Sequence, residues 1–152
     1  MVSSNHEIIT KEIPEKHDVI FAIIRNGVIH LEERTEPGTT YFGYTIIPGG
    51  GVEEGEILDQ ALLREIREER GVIPTEYREI GIVDSVESNG RLNFRHIYLV
   101  TDYQGEITNA EGKNRQFWAS LEEAEKLCEH PISKNILILV RDALSVEEDL
   151  KD

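Results

Sequence analysis

Cysteine is almost absent: Cys128 is the only one among 152 residues, which excludes an intrachain disulfide and fits a reducing compartment. It falls in an expected helix with no evident basic neighbour, so its thiol reads as structural and not as a nucleophile. Also missing is any apolar run as long as a membrane span, and Met1 to Lys16 alternates charge and polarity where a signal peptide would carry an apolar core. The expectation is a cytoplasmic protein with no membrane partner. Positive charge is scarce as well. Lys and Arg number 16 against 30 Asp and Glu, a net charge of −14, which argues against a surface that grips a nucleic acid polymer. Halophilic adaptation or solubility also accounts for such a charge, and a small phosphorylated substrate stays compatible with it if metal ions bridge phosphate to acid. No repeat, linker or low-complexity tract divides the chain. With 39% hydrophobic residues, a single domain over 1–152 is expected, with a polar lead at 1–17 and an acidic tail at 147–152.

What is present is concentrated between Pro48 and Val72, PGGGVEEGEILDQALLREIREERGV. Glu56 to Arg70 holds no Pro or Gly and is rich in helix formers, while Gly71 supplies the left-handed stop. At about 100° per residue, Leu58, Ala61 and Leu62 share an azimuth with Glu65, Glu68 and Glu69. The stripe therefore begins apolar and ends in three carboxylates at the negative end of the helix dipole, where each acid is disfavoured by roughly 0.3–1 kcal/mol. Arg64, Arg67 and Arg70 can offset part of that cost, and a charged surface helix is the plain alternative. Converging carboxylates on a rigid element also make a hard-oxygen site suited to Mg²⁺ or Mn²⁺. Gly49, Gly50 and Gly51, read as a glycine turn able to take positive φ, would let backbone approach a metal or phosphate.

Gly50, five residues, Glu56, seven residues, then Arg64-Glu65-Ile66-Arg67-Glu68-Glu69-Arg70-Gly71-Val72 resembles the complete Nudix box. The resemblance covers this segment and, more loosely, the order of expected elements. It implies an α/β/α sandwich with a mixed β-sheet, and metal-dependent hydrolysis of a nucleoside diphosphate linked to another group. Glu65, Glu68 and Glu69 are then the expected Mg²⁺ (or Mn²⁺) ligands, helped by the Gly50 carbonyl. Glu65, Glu68, Arg64 and Glu111 form the expected catalytic set, with Glu65 as general base and Glu111 as its rival. Arg64 would orient the acidic helix and Glu56 would buttress the loop. Within the family, small size and missing markers of other branches lean toward a mutator-type nucleoside triphosphate pyrophosphohydrolase. ADP-ribose or diadenosine polyphosphate hydrolysis is the alternative enzyme, and a non-catalytic nucleotide-sensing scaffold the alternative class. Many relatives pair, so a homodimer is open.

Elsewhere the pattern is of strands. HEIITKEI offers an edge strand, and Asp18 to Arg25 and Val28 to Glu33 flank Asn26-Gly27 as an antiparallel central pair. Arg34 to Thr40 reads as a loop, Tyr41 to Ile47 as a strand, and Tyr44 as either a substrate contact or a core residue. After a break at Ile73-Pro74-Thr75, Tyr77 to Glu87 and Arg91 to Thr101 make a second hairpin around Asn89-Gly90. Alternation puts Asn93, Arg95, Ile97 and Leu99 on one face and Leu92, Phe94, His96 and Tyr98 on the other. His96 is expected to pack or hydrogen-bond, with substrate contact as the alternative. Gly105 to Lys113 is a loop, Arg115 to Ala119 completes the sheet with Trp118 as a core anchor, and Ser120 with Glu123 caps a helix. A last helix over 133–146 carries Ile136, Leu137, Leu139, Val140 and Leu144 as its buried stripe.

Overall fold

A computed structural model describes residues 14–151, so the HEIITKEI strand expected near the start lies outside the described residues. The chain runs β1 (Lys16–Arg25), β2 (Val28–Glu33), β3 (Thr45–Ile46), β4 (Gly49–Gly51), α1 (Leu58–Arg70), β5 (Ile73–Val86), β6 (Leu92–Gln104), β7 (Arg115–Ser120), α2 (Leu121–Leu127) and α3 (Pro131–Lys151). The sheet order is β3-β2-β1-β6-β5, with β4 also paired to β1 and β7 to β2. β1 and β6 are parallel and the other pairs antiparallel, so the sheet is mixed.

β1 is central because its sequence is apolar on both faces. Ile20, Ala22 and Ile24 join a core cluster shared with Ile136, Leu137 and Val140 of α3. Val19, Phe21 and Ile23 join another built on Ala61, Leu62 and Ile66 of α1. Helices thus cover both faces, giving the expected sandwich. Among the described residues no helix is long and apolar enough to cross a membrane.

Several expectations need correction. Tyr41 to Gly43 is turn, not strand, and only Thr45 and Ile46 pair with β2. β5 starts at Ile73 and absorbs Pro74 with a register irregularity, which an edge strand tolerates because a missing N–H need not face a neighbour. Trp118 is 39% exposed; it packs at a tilt against His30 with ring centroids 4.7 Å apart instead of anchoring the core. The acidic tail is helical as far as Lys151, where α3 ends. The Ser120–Glu123 capping box is present as expected.

Candidate active site

The glycine triplet is a strand, and this corrects the expected turn. Gly51, Gly50 and Gly49 pair antiparallel with Asp18, Val19 and Ile20 of β1, and none of the three takes positive φ. What excludes a side chain there is proximity. A Cβ on Gly49 would run into the Val19 carbonyl, and one on Gly50 would fall inside the Glu65 carboxylate. Gly50 therefore lets the Glu65 carboxylate lie against backbone.

α1 ends where expected, with Gly71 at φ 71° donating its N–H to the Arg67 carbonyl. It begins two residues later than the sequence suggested, at Leu58. Glu56 is left in the preceding loop, where its carboxylate accepts from the Glu53 N–H at 2.9 Å and from Arg64 Nε at 2.6 Å. Arg64 is a hub. It also donates to Glu65 at 2.8 Å, to Glu68 at 3.3 Å and to the Gly51 carbonyl at 2.9 Å. One guanidinium thus ties the loop, β4 and two acids of the helix together, as Arg geometry with five donors permits. That contact holds the Glu56 carboxyl down to about 2, and the same carboxylates push the Arg64 guanidinium up.

The three helix acids do not behave alike. Glu68 is 44% exposed and turned to Arg64, whereas the Glu65 and Glu69 side chains are each 12% exposed. Glu69 lies within hydrogen-bonding reach of Glu65; burial first, then that contact, hold its carboxyl well above the usual carboxylate range. Among the described residues no three His, Cys, Asp or Glu side chains converge into a ready metal cage. The expected trio is thus a facing pair with a third acid drawn aside by Arg64. The donor chemistry still fits a hard dication. Two largely buried carboxylates within hydrogen-bonding reach of each other present the charge a divalent ion would neutralise, beside a glycine with no side chain to block it.

Glu111 comes to this region by way of its loop. The N–H groups of Thr108 and Ala110 donate to the carbonyls of Arg70 and Glu69, satisfying groups that the helix end leaves open. Glu111 and Glu69 consequently line the same small cavity of about 170 Å³, with Glu111 exposed at its edge. His96 stands apart, in a chain of contacts at 2.9 Å to His17 and 2.9 Å to Glu79. Tyr44 is half-exposed and meets the edge of His130. Cys128 is buried, and burial pushes its thiol up to about 11.

Arg70, expected only to offset part of the cost of the helix acids, has a structural task as well. It is fully buried, donating from Nε to His30 Nδ1 at 3.1 Å and from Nη2 to Glu32 at 3.0 Å, and Arg34 holds the other oxygen of Glu32 at 2.7 Å. Burial, and then the Arg70 charge, bring the His30 imidazole down to about 4. The signal was available: Leu62, Ile66 and Arg70 repeat every four residues, and His30 and Glu32 share one face of a strand.

A second, larger cavity of about 480 Å³ opens beside β4. Its boundary includes Gly50, Asp18, Asn93, Arg95, Tyr41 and Ile136.

The sequence model of the NUDIX domain matches residues 15–140. The chain is 36% identical over 105 residues to the 8-oxo-dGTP diphosphatase of Proteus vulgaris, covering 68% of this chain and 82% of that protein. It is 31% identical over 80 residues to the ADP-ribose pyrophosphatase of Methanocaldococcus jannaschii, covering 53% of this chain but only 46% of that one. Among solved structures, the solution structure of the E. coli ORF135 protein superposes with a TM-score of 0.76 at 28% identity, covering 88% of this chain and 94% of that one.

Proposed function

The chain belongs to the NUDIX family of hydrolases, and from that premise we propose that it hydrolyses nucleoside triphosphates between phosphates, releasing pyrophosphate, with Mg²⁺ or Mn²⁺ at Glu65 and Glu69. The observation that carries the proposal is the largely buried Glu65–Glu69 pair, with the Glu65 carboxylate packed against Gly50. The Proteus relative, named for a triphosphate substrate and matched over most of its length, supports the substrate lean.

In this reading each residue has a physical task. Glu65 and Glu69 would hold the cation, with Glu68 and the Gly50 carbonyl as the further candidate donors. The cation supplies charge neutralisation for the polyphosphate and a water acidified enough to attack phosphorus. Arg64 fixes the helix acids against the loop through Glu56 and Gly51. Glu65 takes the proton of the attacking water, and Glu111, across the cavity from Glu69, is the alternative base.

Chromatographic identification of the products formed from a panel of nucleoside triphosphates, ADP-ribose and diadenosine polyphosphates with Mg²⁺ tests the proposal. The expected result is turnover of triphosphates to monophosphate and pyrophosphate, reduced on the order of 10³-fold by Glu69→Gln. Turnover of ADP-ribose alone moves the assignment to that substrate. Binding without turnover of any compound moves it to a nucleotide sensor, and full activity in Glu69→Gln removes the metal site.

A further inference from the structure

The 480 Å³ cavity beside Gly50 holds an unexplained polar group. Asn93 lines it and is only 3% exposed, yet its Oδ1 has no hydrogen-bond partner, the one such buried side-chain oxygen or nitrogen among the described residues. A buried amide oxygen left unpaired opposes folding, so an unpaired one at a cavity wall calls for a partner from outside the chain.

The surroundings define that partner. Asn93 sits on β6 between Lys16 of β1 and Ser85 of β5, and Arg95, two residues on, faces the same way between Asp18 and Val83. The sheet therefore offers an amide, a guanidinium and a carboxylate side by side. Opposite them the cavity is bounded by Ile47, Ile132 and Ile136. With Lys16, Arg34, Glu87 and Arg91 also on its boundary the lining is mixed, and isoleucine side chains among polar and charged groups suit a flat heterocycle, whose faces are apolar and whose edge carries donors and acceptors. Arg95 stiffens the arrangement: it donates to Ser85 Oγ at 2.9 Å and to the Tyr41 hydroxyl at 3.1 Å. Tyr41 in turn is held at φ 64°, a left-handed backbone that a non-glycine residue adopts at a cost. The terminal torsion of Asn is broad, so its amide can turn to present oxygen, nitrogen or both to a ligand edge.

We propose that Asn93 is the specificity-determining residue that reads the substrate's base, making a pair of hydrogen bonds with a nucleobase edge that carries a donor beside an acceptor. This rests on the nucleotide substrate argued above, since Gly50 borders both this cavity and the acid pair. Asp18 and Arg95 flank the base edge, and the phosphates extend past Gly50 toward Glu65 and Glu69.

Asn93→Leu keeps the side-chain size and removes both polar ends. Steady-state kinetics on the common ribo- and deoxyribonucleoside triphosphates should show the ratio of kcat/KM between best and worst base falling at least tenfold. For the best base KM should rise about tenfold with kcat changed less than threefold. The thermal midpoint should be unchanged or higher, because an unpaired buried amide has been replaced by an apolar group. A preserved base ratio, or a marked loss of thermal stability from a broken structural hydrogen bond, overturns the inference. Calorimetric binding of the nucleoside monophosphates separates this from failure of the catalytic assignment. Wild type and Glu69→Gln should bind them with one shared order of preference that Asn93→Leu flattens, even where no compound is turned over. Equal binding of all bases by the wild type also overturns it.

Discussion

Arg64 and Arg70 lie on the same helix and would be scored alike in any count of charge, yet their surroundings differ in kind. Arg64 is 16% exposed and shares its donors among three carboxylates and a backbone carbonyl at the mouth of the acid pair, whereas the Arg70 side chain is 1% exposed, serves the Glu32 carboxylate and the His30 imidazole beneath it, and touches the acid pair only from behind, through the Glu69 carbonyl at 3.3 Å and its carboxylate at 3.8 Å. The first positions groups that must stay accessible. The second fastens the helix to β2 from inside, so its removal strands a desolvated charge. The pair teaches that a position's azimuth relative to the sheet, not its charge, decides whether it acts on stability or on the site.

The comparison can be broken most severely at Arg70. Arg70→Met should lower stability by about 3 kcal/mol, the low end for a broken buried pair because Arg34 still holds Glu32, as read by urea unfolding. The folded fraction should keep most of its activity. A change below about 0.5 kcal/mol, the range of ordinary surface substitutions, would make the two arginines equivalent.

A smaller effect follows from pH. His30 binds its proton with a pKa of about 4 when folded against 6.5 when unfolded, so between these values the unfolded chain holds more protons. The His30 contribution to stability is complete above pH 6.5 and is lost as pH falls toward 4, opposite in sign to that of Glu69, so it is read as the difference between wild type and His30→Asn. A thermal midpoint that declines through that window in the wild type should decline less in His30→Asn. Identical slopes would take the buried network out of the acid response.

Smallest is the substitution that keeps charge at the mouth. Arg64→Lys retains the positive group but not the fork that reaches Glu56, Gly51 and Glu65 together, and should lower kcat roughly tenfold, about 1.4 kcal/mol in barrier. The thermal midpoint should move little. A large stability loss with normal kcat would reverse the contrast drawn between the two residues.

Much of this was legible in the sequence because it was local. The helix, its Gly71 stop, the two Asn-Gly hairpins and the Ser120 cap each depend on a few adjacent residues. The acids of the candidate site were legible for the same reason, being one stripe of one helix. What was hidden depends on distant partners. The glycine triplet became a strand because β1 lies alongside it, and Arg70 went inward because β2 offers His30 and Glu32. Glu68 parts from Glu65 and Glu69 because Arg64 takes it, a choice among neighbours that helical spacing cannot rank. Asn93 was placed on the correct face, but only the assembled cavity reveals that its amide lacks a partner.

The central claim is that Glu69, held beside Glu65, keeps a proton which a divalent cation replaces. In the metal-free fold the raised Glu69 pKa means that the folded chain keeps a proton which the unfolded chain gives up above about pH 4.5, so stability falls as pH rises until a cation takes its place. Calorimetric titration with Mg²⁺ near pH 7, repeated in buffers of different ionisation heat, counts the protons released on binding. About one proton per cation bound to the wild type, and none with Glu69→Gln, is the predicted result; cation binding of equal strength in both proteins with no proton released would contradict it.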